Sequence, residues 1–306
     1  MGVERENIIC LGGSHGTHLA VKLARILNVD FDAIEVRNFP DGEIYVRIIP
    51  EVKRRTVIYV NSLALKPNQY LVETILTIET LKDLEAEKVY AVIPYMAYAR
   101  QDSRFKPGEA ISIEIVAKML SNTEVDEIIT VDMHLHRIED PQKLFKVPFH
   151  NLTAMHEIAK YIRANYKLEN PIVIGPDEEA EQWAKIVAGD LGLEYDVLEK
   201  ERISGEEVIV KTRELNVQGR DIIVVDDIIS TGGTVVETVK ALRRLGAKRF
   251  LIACTHPLLV KNAYNRIVSL GVEDIIGTDT VLSPISKVSV APVIAEYITS
   301  HIRRDI

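Results

Sequence analysis

Two carboxylates close the apolar run Ile222-Ile223-Val224-Val225-Asp226-Asp227, and Ser230-Thr231-Gly232-Gly233-Thr234 follows before a new helical pattern begins. A run of β-branched residues predicts a buried strand, and in parallel α/β sheets ligands sit beyond the carboxyl ends of strands. The glycines let the backbone turn sharply and approach a ligand. Successive amides at a helix N-terminus cradle an anion, and the threonine hydroxyls add donors. Carboxylates do not serve a phosphate. They suit sugar hydroxyls or a divalent cation. The stretch reads as a sugar-phosphate site, with hydroxyls on Asp226 and Asp227 and phosphate on residues 230–234. The plainer reading is a strand end, a turn and a threonine helix cap.

Other clusters also carry chemistry. Asn38-Phe39-Pro40-Asp41-Gly42-Glu43 is a turn signal, which alone means a hairpin with solvated acids. Tyr98-Ala99-Arg100-Gln101-Asp102 offers a phosphate clamp in Arg100 and a base reader in Gln101, or else a surface Arg–Asp pair. Val131-Asp132-Met133-His134-Leu135-His136 places two histidines on one face of a strand end, because residues i and i+2 align. Asp177 follows the apolar Ile172-Val173-Ile174, either as a site carboxylate or as a helix cap before a glutamate-rich segment. Lys200 and Arg202 open a charged stretch, a solvated run or two cations for developing negative charge. Gly12-Gly13-Ser14-His15-Gly16 has the composition of a phosphate loop. It matches neither GxGxxG with a following acid nor a Walker A motif, and reads as a turn and helix cap.

The elements that position these residues alternate short apolar runs with amphipathic helical patterns, a βαβ rhythm of parallel sheet with helices on both faces. The rhythm restarts near residue 145. The expected fold is α/β with two similar domains, 1–145 and 146–285, each a mostly parallel sheet flanked by helices. The C-terminal helix, 286–306, packs on one of them, provisionally the first. The 306 residues carry a net charge of −8, which argues against a broad nucleic-acid surface. No apolar run spans a bilayer, the start does not read as a signal peptide, and Cys10 and Cys254 sit in apolar runs, so a soluble cytoplasmic protein without disulfides is expected. Glutamine occurs at only five positions while Glu, Lys and Ile abound, which leans toward a heat-adapted source.

Together the motifs resemble a known family. Residues 222–234 resemble the phosphoribosyl diphosphate (PRPP) binding motif, shared by phosphoribosyltransferases and by ribose-phosphate diphosphokinase (PRPP synthetase). Phe39–Glu43 and Tyr98–Asp102 resemble the synthetase in particular, and the motifs follow in family order over nearly the whole chain. The resemblance implies two phosphoribosyltransferase-type domains and transfer of the β,γ-diphosphoryl group of ATP to the 1-hydroxyl of ribose 5-phosphate. It implies ATP binding by Phe39, Asp41, Gly42, Glu43, Arg100 and Gln101. Ribose 5-phosphate would bind Asp226, Asp227, Ser230, Thr231, Gly232, Gly233 and Thr234. Mg²⁺ would lie near His134 and Asp177, and Lys200 and Arg202 would be catalytic. It also implies a homo-oligomer, at least a dimer, in which the Phe39–Glu43 loop reaches a neighbouring subunit.

There are departures. Ser230 stands where the family usually has Asp, which removes a negative charge beside the sugar. The run Ser103–Glu109 differs from the family's basic segment, where phosphate and ADP control resides. His136 and Thr255-His256-Pro257 receive no role. Rival readings are a transferase that consumes PRPP, which would lack the Phe39–Glu43 loop, and a non-catalytic paralogue, which would have lost Lys200, Arg202, His134 or Asp177.

Overall fold

The computed structural model describes residues 7–104, 106–135, 137–138, 140–202, 208–212 and 216–302, with the side chains of 200–202, 208–212 and 302 outside the description. His136 therefore lies outside the described residues. The chain forms two compact units, Met1–Thr153 with Val290–Ile306, and Ala154–Ser289.

The first unit runs β1 (Ile8–Gly12), α1 (Thr17–Leu27), β2 (Asp30–Ala33), β3 (Glu35–Asn38), β4 (Ile44–Arg47), β5 (Thr56–Val60), α2 (Pro67–Asp83), β6 (Lys88–Val92), α3 (Ser112–Ser121), β7 (Glu127–Val131) and β8 (Phe149–Leu152). Six strands make an all-parallel sheet in the order β2-β1-β5-β6-β7-β8. Its central strands are buried along nearly their whole length, as expected where helices cover both faces. α1 ends on Asn28 at φ 56°, a left-handed cap that asparagine tolerates. β3 and β4 form a separate antiparallel hairpin.

The second unit runs α4 (Met155–Asn165), β9 (Ile172–Gly175), α5 (Glu181–Leu191), β10 (Tyr195–Arg202), β11 (Val208–Thr212), β12 (Asp221–Ile229), α6 (Gly233–Arg244), β13 (Arg249–Pro257), α7 (Ala263–Val268), β14 (Asp274–Thr278) and β15 (Ser286–Val288). The sheet order is β11-β10-β9-β12-β13-β14-β15, parallel except for the β10–β11 hairpin. Strand period 2 divides its core in two. Ile222, Val224, Phe250 and Ile252 face α6 and α7 on one side. Ile223, Val225, Leu251 and Ala253 face α4 and α5 on the other, where Trp183 is buried. Both cysteines are buried and free.

The unit boundaries differ from those expected at 145 and 286. Phe149–Leu152 adds to the first sheet beside β7, which moves the division to Thr153. Ser286–Val288 pairs with β14 in the second sheet, so the returning segment starts at Val290. It carries α8 (Ala291–Ile302), which packs on α1. The Tyr297 hydroxyl donates to Glu127 Oε1 (2.8 Å), and its ring stacks on His301. Among the described residues, no helix is long and apolar enough to cross a membrane.

Candidate active site

In the second sheet the chain steps from β9 to β10 on one side, then returns to place β12 on the other. Winding reverses between β9 and β12, and a ligand crevice belongs at their carboxyl ends. Asp177 follows β9 there. β12 does not stop at its aspartates, as its sequence suggests. It continues to Ile229 because Ile228 and Ile229 stay in register with His256 and Pro257 of β13. On the β9 side its pairing ends at Val224. Asp226 and Asp227 therefore lie past the end of β9, in a strand still held from the other edge.

Asp227 and Asp177 both act on Asp226. Burial pushes the Asp226 carboxyl well above the usual aspartate range, and the charges of Asp227 and Asp177 push it further. Its Oδ1 accepts the Asp227 amide (2.9 Å). Asp177 also caps a short 3₁₀ turn by accepting the Ala180 amide (3.2 Å), as the capping reading expects.

The threonine-cap reading fails. The residue before α6 is Gly232 at φ +73°, and no side chain caps the helix among the described residues. The first amides of α6 are thus open to an anion. A Cβ on Gly232 would meet Ile267 Cδ1 at 3.1 Å and Ala263 Cβ at 3.2 Å. Arg266 of α7 donates to the Thr231 carbonyl (3.1 Å) and holds the loop from behind. Sequence reasoning missed Arg266, which lies 35 residues away with no motif around it. His256 is buried, with Nδ1 2.9 Å from the Thr280 hydroxyl, a structural role.

Lys200 and Arg202 stand in the β10–β11 hairpin, opposite Val210 and Val208. β10 pairs with β9 only over Tyr195–Val197. The rest of β10 runs on past the carboxyl end of β9, about 3.3 Å per residue.

In the first unit, Asp41, Gly42 and Glu43 form the exposed tip of the β3–β4 hairpin. The Phe39 amide donates to the Glu43 carbonyl (2.8 Å), the Gly42 amide to the Phe39 carbonyl (2.9 Å), and the Glu43 amide to Asp41 Oδ1 (3.3 Å). Phe39 is 40% exposed. The Arg37 guanidinium lies over its ring at 5.0 Å and over Tyr45 at 4.0 Å. After β6 the chain turns tightly at Tyr98 (φ +68°), which leaves Arg100 exposed and Gln101 half-buried. Asp102 pairs not with Arg100 but with Arg137, accepting its backbone amide (3.0 Å) and Nη1 (3.2 Å). β7 ends at Val131, before the histidines, so the shared-strand-face argument for His134 and His136 does not hold. Asp132 turns the chain at φ +39°, its amide donates to the Leu152 carbonyl (2.8 Å), and the Met133 amide donates to Asn151 Oδ1 (2.9 Å). His134 sits half-buried in the loop so formed. The Asp102–Arg137 pair links this loop to Arg100 and Gln101.

A doubly wound unit with an uncapped helix start and paired carboxylates at its switch point suits the phosphoribosyltransferase class of α/β domain. The comparisons are more specific. The family profile of the phosphoribosyl transferase domain matches residues 150–269, and that of the N-terminal domain of ribose phosphate pyrophosphokinase matches residues 8–123. The ribose-phosphate pyrophosphokinase of Methanopyrus kandleri is 45% identical over 95% of this chain and 98% of its own. That of Methanothermobacter thermautotrophicus is 43% identical over 94% and 98%. The crystal structure of phosphoribosylpyrophosphate synthetase from Mycobacterium smegmatis superposes with a TM-score of 0.87 at 31% identity, covering 98% of this chain and 100% of that one. The chain belongs to the ribose-phosphate pyrophosphokinase family.

Proposed function

We propose that the chain is a ribose-phosphate pyrophosphokinase: it transfers the β,γ-diphosphoryl group of ATP to the 1-hydroxyl of ribose 5-phosphate, giving PRPP and AMP. The observation that carries this reading is the β9–β12 switch point, where an uncapped α6 and the Asp226–Asp227 pair suit a sugar phosphate. The 5-phosphate takes the amides and hydroxyls of Ser230–Thr234, and the aspartates take the ribose hydroxyls. Ser230, unlike an aspartate, adds no charge against the phosphate. ATP falls to the first unit. Phe39 stacks on the base, Asp41 and Glu43 accept from the nucleoside, Gly42 lets the loop approach, Gln101 reads the base and Arg100 clamps phosphate. Lys200 and Arg202 meet the charge that develops on the transferred group and on the leaving oxygen.

A divalent cation fits this donor set. Mg²⁺ takes one or two carboxylates plus substrate phosphates rather than a full protein cage. Among the described residues no ready cluster of three or more acidic, His or Cys ligands exists, while Asp177 and Asp226 crowd one place where a cation would relieve their repulsion. When bound, Mg²⁺ would neutralise phosphate charge. Asp177 would hold it beside the sugar, and His134 beside the triphosphate on the strength of the family pattern alone. We further propose a homo-oligomer, at least a dimer, in which the Phe39–Glu43 hairpin serves a neighbouring subunit. No nucleic acid or membrane partner is proposed, and the reaction belongs to the cytoplasm, where its substrates are.

Incubation with Mg²⁺, ATP and ribose 5-phosphate tests the reading. AMP should appear one-for-one with PRPP and only with the sugar present. Binding of PRPP without any AMP formation would point to a transferase or regulatory protein instead. Phe39→Ala should raise KM for ATP about tenfold, since stacking on a base contributes about 1–3 kcal/mol, and steady-state kinetics at saturating sugar would reveal it. Gly232→Ala should raise KM for ribose 5-phosphate by about tenfold or more, because left-handed strain of about 1–3 kcal/mol falls on the phosphate loop. Isothermal titration with the sugar phosphate alone checks that loss.

A further inference from the structure

The first unit has a switch point of its own. Its winding reverses between β1 and β5, so a ligand crevice belongs at their carboxyl ends, beside the Gly12–Gly16 loop. The protein fills that place from within. A Cβ on Gly16 would meet the Val60 carbonyl oxygen at 1.9 Å, and one on Gly13 would meet the Tyr59 hydroxyl and Asn61 Cγ at 2.7 Å. The loop is therefore pressed onto the end of β5. Glu73 reaches up from α2, fully buried, and its Oε1 accepts the Ser14 amide (2.8 Å) and Asn61 Nδ2 (3.2 Å). Asn61 Oδ1 accepts the His15 amide (3.0 Å). Burial raises the Glu73 pKa above the usual glutamate range, and hydrogen bonds from the Ser14 amide and side chain and from the Tyr59 hydroxyl offset that only in part.

We propose that Glu73 is a built-in anion. It sits at the switch point of the first unit, where it takes the Ser14 amide in place of a phosphate, and it thereby anchors the helix turn that positions the nucleotide-binding segments. Gln69 precedes Glu73 by four residues, on the same face of α2. Gln69 Nε2 donates to Asn38 Oδ1 (3.3 Å), beside Phe39. Neighbouring Asn68 accepts from the Tyr98 hydroxyl, two residues before Arg100. One helical turn thus joins the hairpin to the Tyr98–Gln101 loop. The positioning role rests on the ATP reading of those segments.

Glu73→Ala removes the carboxylate and leaves room for a small one. Formate should raise the Tm of this variant by several degrees relative to chloride at matched ionic strength. Wild type and Glu73→Gln should not respond. In Glu73→Ala, KM for ATP should rise about tenfold, the effect of losing one charge-assisted hydrogen bond. KM for ribose 5-phosphate should hold, and formate should restore the ATP value. An equal formate response in all three proteins overturns the built-in anion. Stability rescue with an unchanged KM for ATP overturns the positioning role, provided Arg100→Ala does raise it. If Arg100→Ala leaves KM for ATP unchanged as well, the ATP reading has failed and the formate result still judges the anion. Should Glu73→Ala not fold, Glu73→Ser, which also removes the carboxylate and leaves room for formate, takes its place in the same comparison.

Discussion

Lys200→Ala is expected to lower kcat by about three orders of magnitude while KM for ATP stays within about twofold. Attack on the β-phosphorus spreads negative charge over the transferred diphosphoryl group and the departing AMP oxygen. A cation that meets this charge only as it develops acts on kcat, whereas one that binds ATP in the ground state acts on KM. The backbone suits the first role. β10 leaves β9 after Val197 and continues in the hairpin with β11, which carries Lys200 about 10 Å past the sheet edge where Asp177 and Asp226 gather. Arg202 follows two positions on. On the proposed roles the two cations serve the same transition state, so the double variant should lose far less than the product of the single losses. Normal turnover in Lys200→Ala would sink the assignment.

Asp221→Ala is expected to lower the unfolding free energy by about 3 kcal/mol at neutral pH and to leave both KM values unchanged. Asp221 lies at the opposite end of β12 from the site and is 0% exposed. It accepts the Glu169 amide (2.6 Å) and Arg249 Nε (3.0 Å) and Nη2 (2.5 Å). Arg249 also holds Glu273 (3.2 Å) and the Lys167 carbonyl (3.0 Å). Removal of Asp221 strands a buried amide and half of a guanidinium. Arg249 keeps its other partners and some solvent, so the loss falls at the low end of the range for a broken buried pair. Burial pushes the Asp221 pKa up, but the hydrogen bonds of Arg249 and Glu169 and the charges of Arg249 and Lys248 outweigh it, and the net shift is downward. A folded pKa below the unfolded one gives stability that is complete above the unfolded value of about 3.9 and vanishes as pH falls through the folded one. Denaturant titrations should show the variant and parent converging in that acid window. A gap that persists there would assign the loss to packing instead.

The elements and the turns between them were legible in the chain because their signals are local. β-branched runs, period-3.6 helices and the Pro-Asp-Gly turn occupy a few residues each, and the β3–β4 hairpin and α1 with its Asn28 cap follow from them directly. Membership of a short strand was not local. Phe149–Leu152 and Ser286–Val288 were assigned only by the neighbour they pair with, which moved both unit boundaries. The same pairing carried β12 through its aspartates to Ile229, while β7, unpaired beyond Val131, stopped short of His134.

The polar contacts were the least legible. Asp102 takes Arg137 from 35 residues away, Arg266 supports Thr231 across another 35, and the Ser14 amide meets Glu73 across 59. Glu73 in the sequence is one acid among the charges of an amphipathic helix. By itself the sequence determined which residues could bind a sugar phosphate and a nucleotide, since that depends on side-chain type and close spacing. Only the tertiary structure decided that Glu73 of α2 meets the Ser14 amide at one switch point, while among the described residues no side chain caps α6 at the other, because a buried polar group must find its partner wherever the fold brings one.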